Sequence, residues 1–533
     1  MKNTTSTGHD DINVVGLKKM LPSMLTSITH IINLSLKQGV FPEIWKLAKV
    51  VPLFKNNGDK SDSKCYRPIA LLPVMSKILE KFISRWLNQH MEKNRLWSDR
   101  QHGYRGKRST ATALLQLQEE VLKRFEEGHD VAVSSYDSSA AFDTLTHSIL
   151  LEKLKLYGCS KQVIKWFESY LSDRWQYCEI NGKKSSTKRI TQGVFQGSVL
   201  GPLLYILYVN CISILEDNDT KLSLYADDVN AATRLTKNKY ENKVRISVMA
   251  AQLQRYMDSN HLKFNGDKTK LIVKTRSTKN NHGYLDMKLG DKLIEQEETT
   301  KVLGVVIGKD EKYKEYLVNG KKSVMSFLNT RHSMLKILSK FADLKVRKAL
   351  AEGLILSKIN YCLTVWGSTT EEIMQKMHIL VNDVVRTVFG IGRNRFTSLA
   401  PLYQKLRWLP VRQLLQYHDL ITVQSIVQND TPQDLAAKFQ QQHNHSHNTR
   451  ASSQAYRLST ETTSRLAARS KGFVCRAAAE FQKLPSLITE SKTLPRAAFK
   501  DYVKSDIGQW EMSPSTENVL EYLETLKNMG EFY

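Results

Sequence analysis

The stretch Leu222-Ser223-Leu224-Tyr225-Ala226-Asp227-Asp228-Val229-Asn230 constrains this chain more than any other. Apolar and polar residues alternate up to Tyr225, which predicts a half-buried strand, and Val229 resumes the apolar run. Two adjacent carboxylates interrupt it. Like charges that close repel unless a cation lies between them. Asp is also an ordinary turn residue, so on its own the pair reads as a polar hairpin turn. The chemistry supplied by the rest of the chain decides between the two.

A chain of 533 residues is too long for one core and implies about two to four domains. An apolar content of 41%, with 21 Tyr, 17 Phe and 8 Trp, supplies globular cores and excludes a wholly disordered chain. A net charge of +25 points to a polyanion, either nucleic acid or a membrane surface. No stretch reaches the about 20 uninterrupted apolar residues of a membrane span. Residues 199–215 come nearest, but Gly201, Pro202 and Asn210 break them, so a buried core helix is expected. No apolar segment follows Met1-Lys2-Asn3-Thr4-Thr5, so secretion is not expected. Cys65, Cys159, Cys178, Cys211, Cys362 and Cys475 form no CxxC pair, which suits free thiols in the cytoplasm or nucleus and no zinc knuckle. Nucleic acid remains as the expected partner, with no membrane.

Along the chain, residues 1–54 are mainly helical in pattern and end in a strand at 50–54. A polar loop follows, Tyr66-Arg67-Pro68-Ile69 restarts order, and Ser76 is expected to open an amphipathic helix. Residues 101–110, Gln-His-Gly-Tyr-Arg-Gly-Lys-Arg-Ser-Thr, read either as a loop that meets a phosphate backbone or as a basic solvated turn. Ser109 or Thr110 caps the next helix. A strand at 131–136 ends at Asp137, followed by Ser138-Ser139-Ala140-Ala141-Phe142-Asp143. Asn181-Gly182 marks a type I′ hairpin, and the glycines of 192–202 leave backbone N–H groups free before a helix. After the Asp-Asp hairpin come a helix at 243–260, the segment 262–269, and an expected strand pair, 270–274 with 301–307. This order is the split βαβ, ferredoxin-like pattern, which would bring Asp137 beside Asp227 and Asp228. Beyond about residue 310 the chain is basic and helical. His443, His445 and His447 in a polar run could hold a metal, but with no Cys or carboxylate set nearby a linker is expected.

These motifs together resemble the reverse transcriptase of non-LTR (LINE-type, jockey-like) retrotransposons. Tyr225-Ala226-Asp227-Asp228 is similar to that family's polymerase signature, and Asp137 to Asp143 to the motif that carries its first catalytic carboxylate. Gln192 to Pro202 resembles its glycine-rich motif, Leu262 to Thr269 its lysine motif, and Val302-Leu303-Gly304-Val305 its primer grip. Val51-Pro52-Leu53-Phe54-Lys55, Tyr66 to Ile69 and Gln101 to Thr110 resemble its fingers motifs, and Thr7 to Ile12 its opening element. The match runs in order over residues 5–310 and continues more weakly through 360–367, 406–410 and the region near Phe499.

The resemblance implies an α+β right-hand polymerase: fingers, a ferredoxin-like split βαβ palm, a helical thumb and a mainly helical basic C-terminal region. The expected divisions are 1–34 as a helical extension, 35–308 as fingers and palm, 309–430 as thumb, 431–455 as polar linker and 456–533 as C-terminal helices. It further implies an RNA-directed DNA polymerase extending a DNA primer on an RNA template with dNTPs. Asp137, Asp227 and Asp228, with the carbonyl of Ser138, would hold two Mg²⁺ ions, Mn²⁺ being a workable substitute. Lys268 would be a proton donor. Lys55 and Arg67 would hold the triphosphate, Gln196 and Tyr225 would order the nucleotide, and Phe142 would be the steric gate against a 2′-OH. Arg105, Lys107, Arg108, Gly197, Leu303 and Gly304 would contact template or primer.

Two departures stand out: Phe195 replaces the family's Pro, which frees φ beside Gln196, and Ser134-Ser135 make the first catalytic strand more polar. A nuclease before Thr7 is not expected, and a separate endonuclease is an expected partner. The alternative is an inactive truncated copy that only binds RNA or DNA. An RNA-dependent RNA polymerase shares the paired Asp, but Phe142 argues against it. Oligomeric state stays open.

Overall fold

The structure, a computed structural model, describes residues 3–56, 58–138, 141–276, 284–393, 398–439, 471–485, 494–509 and 516–521, with 488 and 512. Its centre is a six-stranded sheet ordered β10-β11-β9-β3-β8-β7. Here β3 is Asp130–Tyr136, β7 Thr220–Tyr225, β8 Asp228–Leu235, β9 Lys270–Lys274, β10 Asp286–Leu289 and β11 Lys292–Glu297. The β9-β3-β8-β7 part is fourth, first, third and second in chain order, all antiparallel, which is the expected ferredoxin-like unit.

Both faces of β3 are covered, so its apolar run is nearly continuous. Val131 and Val133 enter one core with Leu114 and Leu117 of α3 (Thr110–Glu126) and the C-terminal helices. Ala132 and Tyr136 enter another with α6 (Gly201–Tyr208) and α7 (Lys239–Ser259). Ser109 caps α3 in a full capping box, as its position predicts.

A second sheet combines strands from before β3 with strands inserted between β3 and β7. β1 (Leu47–Phe54) pairs antiparallel with β2 (Tyr66–Leu71) and parallel with β4 (Arg174–Ile180). Asn181 and Gly182, at φ 49° and 78°, both take the left-handed values of a type I′ turn. Helix α1 (Val14–Gln38) starts at Asn13, whose side chain accepts from the Gly16 N–H at 2.7 Å.

Three sequence expectations need correction. Helix α2 (Val74–Lys93) starts two residues before Ser76, after Pro73. Ser76 is interior and donates to Glu80 at 2.7 Å, because Glu80 is buried and needs donors. The apolar run 199–215 is split: α6 ends at Tyr208 and a 3₁₀ turn, Asn210–Leu215, follows. Asn210 Oδ1 accepts from the Ser98 N–H at 2.9 Å, and its Nδ2 donates to the Leu96 carbonyl at 2.8 Å. Finally, 270–274 and 301–307 are not partners. β9 lies between β3 and β11, while β12 (Thr300–Val302) and β13 (Val305–Ile307) form their own hairpin. The unforeseen β10-β11 hairpin takes the edge of β9 that the pair would have used.

After β13 the chain is helical, with long helices Val324–Leu338, Glu371–Phe389 and Val411–Asn429. Helices Phe473–Phe481 and Arg496–Gly508 share their core, through Phe473 and Phe499. Arg476 binds the fully buried Asp419 carboxylate at 2.5 Å. Residues 431–439 of the expected linker bury Leu435, Ala436 and Phe439. The rest of that linker, its histidine run, Ser139 and Ala140 lie outside the described residues. Among the described residues no helix is long and apolar enough to cross a membrane.

Candidate active site

The β7-β8 register pairs Tyr225 with Asp228, leaving Ala226 and Asp227 as a two-residue turn. Ala226 sits at φ 57°, a left-handed position that glycine would occupy more cheaply. A brace holds it there. The Ala226 N–H donates to Gln101 Oε1 at 3.0 Å, and that same oxygen accepts from the Gly103 N–H at 2.8 Å. The Leu224 N–H donates to the Arg100 carbonyl, and the His102 N–H to the Leu224 carbonyl, both at 2.9 Å. A Cβ on Gly103 would come within 2.3 Å of the Ala226 nitrogen, so no other residue fits against the turn. Sequence reasoning left this loop between a phosphate-backbone contact and a basic solvated turn. Its first three residues shape the acidic turn.

Asp137 follows β3, whose last pair is Tyr136 with Val229, so it emerges beside the turn. Its carboxylate accepts from Lys268 Nζ at 2.8 Å, and its carbonyl from the Asn265 N–H at 2.7 Å. Ser138 Oγ donates to the Asp227 carbonyl at 3.2 Å. Burial pushes the Asp227 pKa up and Asp137 adds to this, while Lys268 and Arg67 pull it back. Asp228 is pushed up to about 6 by burial, then by Asp227 and Asp137. Two carboxylates with raised pKa values beside a third are an oxygen donor set short of positive charge, which is the chemistry a hard divalent cation satisfies. Among the described residues no three such donors are already drawn into a coordinating group, and the Lys268 ammonium is the cation bound to Asp137.

Beside the carboxylates, Phe142 is half-buried, its ring 5.2 Å from that of Tyr205. Gln196 Nε2 donates to both oxygens of Asp143, at 3.1 and 3.0 Å. The loop carrying it is fixed on two sides: the Val194 N–H donates to the Phe142 carbonyl at 2.8 Å, and the Ala70 N–H to the Gln196 carbonyl at 2.7 Å. Gly197, at φ 124°, has no room for a Cβ, which would lie 2.4 Å from the Ala70 carbonyl oxygen. Phe195 is buried with Ala48, Ala70 and Leu72, and its ring lies 4.7 Å from the Arg174 guanidinium. Packing therefore replaces the fixed φ of the missing proline, and the Gln196 backbone stays held.

The remaining expected residues divide. Arg67 is exposed on β2 and acts electrostatically on Asp227. Lys55 is not brought in: its ammonium donates to the Lys64 carbonyl at 2.6 Å. Arg105 and Arg108 are also turned to other work, bound to Glu92 and Asp99 with side chains only 6% and 2% exposed. Buried guanidiniums require such partners. Lys107 alone of that trio is exposed. Leu303 and Gly304 form the β12-β13 turn, and Tyr361 Oη donates to the Leu303 carbonyl at 2.5 Å. Tyr225 is half-buried beside Asp228. Sequence reasoning missed Gln101, Gly103 and Asp143 as parts of the site. Asp143 closes the Asp137 motif, and that was the available signal.

A strand-end carboxylate meeting an acidic hairpin on a ferredoxin-like sheet, with a second sheet beside it and helices after, is the right-hand polymerase fold. Residues 55–307 match the family described as "Reverse transcriptase (RNA-dependent DNA polymerase)". The chain is 26% identical over 405 residues to "RNA-directed DNA polymerase from mobile element jockey" of Drosophila melanogaster, covering 73% of this chain and 42% of that protein. It is also 26% identical over 403 residues to "Probable RNA-directed DNA polymerase from transposon BS" of the same organism, covering 72% of this chain and 42% of that protein. Among solved structures, "Structure of apo telomerase from Candida Tropicalis" aligns over 78% of this chain and 73% of that chain at 14% identity, with a TM-score of 0.36. Residues 55–307 are therefore similar to a reverse transcriptase domain, and the chain resembles the jockey-like non-LTR retrotransposon polymerases. It spans less than half the length of these two relatives.

Proposed function

We propose that the chain is an RNA-directed DNA polymerase that extends a DNA primer on an RNA template. The observation that supports this most is the meeting of Asp137, Asp227 and Asp228 at one turn, where burial and the neighbouring carboxylates raise the pKa of Asp227 and Asp228. These carboxylates, with the Ser138 carbonyl, would hold two Mg²⁺ ions, which when bound neutralise phosphate charge and lower the pKa of the primer hydroxyl.

The chain's own side chains do the rest. Arg67, free of a carboxylate partner among the described residues, binds the triphosphate. Phe142, backed by Tyr205, fills the space a 2′-OH would need, so the substrates are dNTPs. Asp143 fixes which end of the Gln196 amide points outward to the nucleotide. Lys268 holds one oxygen of Asp137 and stands ready to give a proton to the leaving pyrophosphate. The nick that provides a primer would come from an endonuclease.

Primer extension on an RNA template, comparing dNTPs with rNTPs, tests the reading. The expected result is Mg²⁺-dependent dNTP incorporation, lost in Asp227→Ala, with rNTPs admitted by Phe142→Ala. Salt-sensitive RNA binding without incorporation on any template would sink it and leave a binding protein that kept the fold.

A further inference from the structure

The basic half of the loop after Gln101 lines a cavity of about 730 Å³ whose walls include none of Asp137, Asp227 and Asp228. One wall is the end of α2 and residues 105–108, and the other is Asn429 to Gln433 at the end of the helix Val411–Asn429. The two walls are fastened together although they lie far apart in sequence. Arg100 bridges Glu216 at 2.7 Å and also Asp434, and the Gln433 N–H donates to Asp99 Oδ1 at 3.1 Å across 334 positions.

The charges fall into two kinds. Arg105 and Arg108 are immobile: their carboxylates hold them, Arg105 lies 5.7 Å over the Trp97 ring, and the Nε of each is buried with no hydrogen-bond partner. Burial, then Arg108, pulls the Arg105 pKa down. Arg85, Arg95 and Lys107 are exposed, and among the described residues no carboxylate is paired with them. The lining thus has five cations (these three with Arg105 and Arg108) against three carboxylates, Glu92, Asp99 and Asp430. Two of the exposed cations occupy left-handed backbone, Arg95 at φ 52° and Lys107 at φ 65°. Glycine fits that conformation at least cost, and Lys107 takes it although Gly106 is adjacent. Asn88, Gln89, Asn429 and Gln433 add amide donors and acceptors.

We propose that this cavity is a second nucleic-acid site, which takes the phosphate backbone of a single RNA strand. Arg85, Arg95 and Lys107 contact phosphates, Arg105 and Arg108 supply fixed positive potential, and the amides bond 2′-hydroxyls and base edges. The proposal rests on the reading that the chain works on RNA.

The test is fluorescence anisotropy of a labelled single-stranded RNA over a salt series. It compares the full chain with the triple variant Arg85→Gln/Arg95→Gln/Lys107→Gln and a charge-matched control, Lys161→Gln/Lys165→Gln/Lys239→Gln. Each phosphate contact on a single strand contributes about 0.7 to the slope of log K against log salt, so the slope should fall by about 2 in the triple variant. Affinity should drop at least about tenfold there and far less in the control. An unchanged slope, with the unmodified chain binding RNA and extending primers, overturns the cavity assignment and leaves the polymerase reading standing. Single-stranded DNA or polyphosphate bound as tightly as RNA overturns the choice of ligand. No RNA binding by the unmodified chain overturns both.

Discussion

The acidic turn and the basic loop that braces it handle like charge in opposite ways. In the turn, Asp137, Asp227 and Asp228 crowd together with one ammonium, Lys268, in direct contact, and burial and mutual repulsion raise the pKa of Asp227 and Asp228. In the loop, Arg105 and Arg108 are buried just as firmly, but each has its own carboxylate. A fold that gives Arg105 and Arg108 a carboxylate each, yet sets only Lys268 in contact with three carboxylates at the turn, suits that turn to an external cation. Uncompensated charge marks the chemistry, and compensated charge marks the scaffold.

The largest effect should come from removing one of the uncompensated charges. Asp227→Asn should cut nucleotide incorporation by about 10²–10³-fold or more, while a thermal melt shows no loss of stability because repulsion is relieved. A large fall in melting temperature would mean that the turn is scaffold too.

On the scaffold side, His102 is buried and hydrogen-bonded at both ring nitrogens, to Thr112 and Gln116. Burial and then Arg108 push its pKa down to about 3, against 6.5 for the free side chain. It is therefore neutral when folded, and below pH 6.5 the unfolded chain binds a proton the fold refuses. Stability should fall by up to about 1.4 kcal/mol per pH unit between 6.5 and 3. Denaturant titrations at pH 7 and pH 5 check this. His102→Gln should flatten the dependence, and an unchanged slope would remove His102 from the scaffold.

Gly103→Ala should cost about 1–3 kcal/mol, since the new methyl collides with the Ala226 backbone rather than with a flexible side chain. Incorporation should fall with it. A variant that melts normally and extends primers normally would show that the brace is dispensable. The smallest effect is expected at Asp143. Asp143→Ala frees the Gln196 amide and should raise the KM for dNTP about tenfold with little change in kcat, equivalent to about 1.4 kcal/mol of ground-state binding. In Asp143→Ala/Gln196→Ala the losses should not add.

Much of the fold could be read from the sequence because it depends on local pattern: strand alternation, the Ser109 cap and the Asn181-Gly182 turn. The convergence of Asp137 with Asp227 followed from the order of elements alone. What escaped were contacts between distant segments of sequence. Nothing local in Gln101-His102-Gly103 says that its partner is Ala226, or that a Cβ at 103 would strike it. Nor do Arg105 and Arg108, read as exposed loop cations, reveal that they are buried on Glu92 and Asp99. The β10-β11 hairpin was missed beside the undescribed residues 277–283, and without it β9 was given the wrong partner.

The central strand has a consequence for how the chain is made. Val131 and Val133 belong to one core and Ala132 and Tyr136 to the other, so neither core closes until β3 has both neighbours. One neighbour, β9, leaves the ribosome long after β3. Until it does, a nascent chain carries an apolar strand with an open edge, the feature that invites pairing with another chain. Synthesis halted before Lys270 should yield aggregates rather than a smaller soluble enzyme.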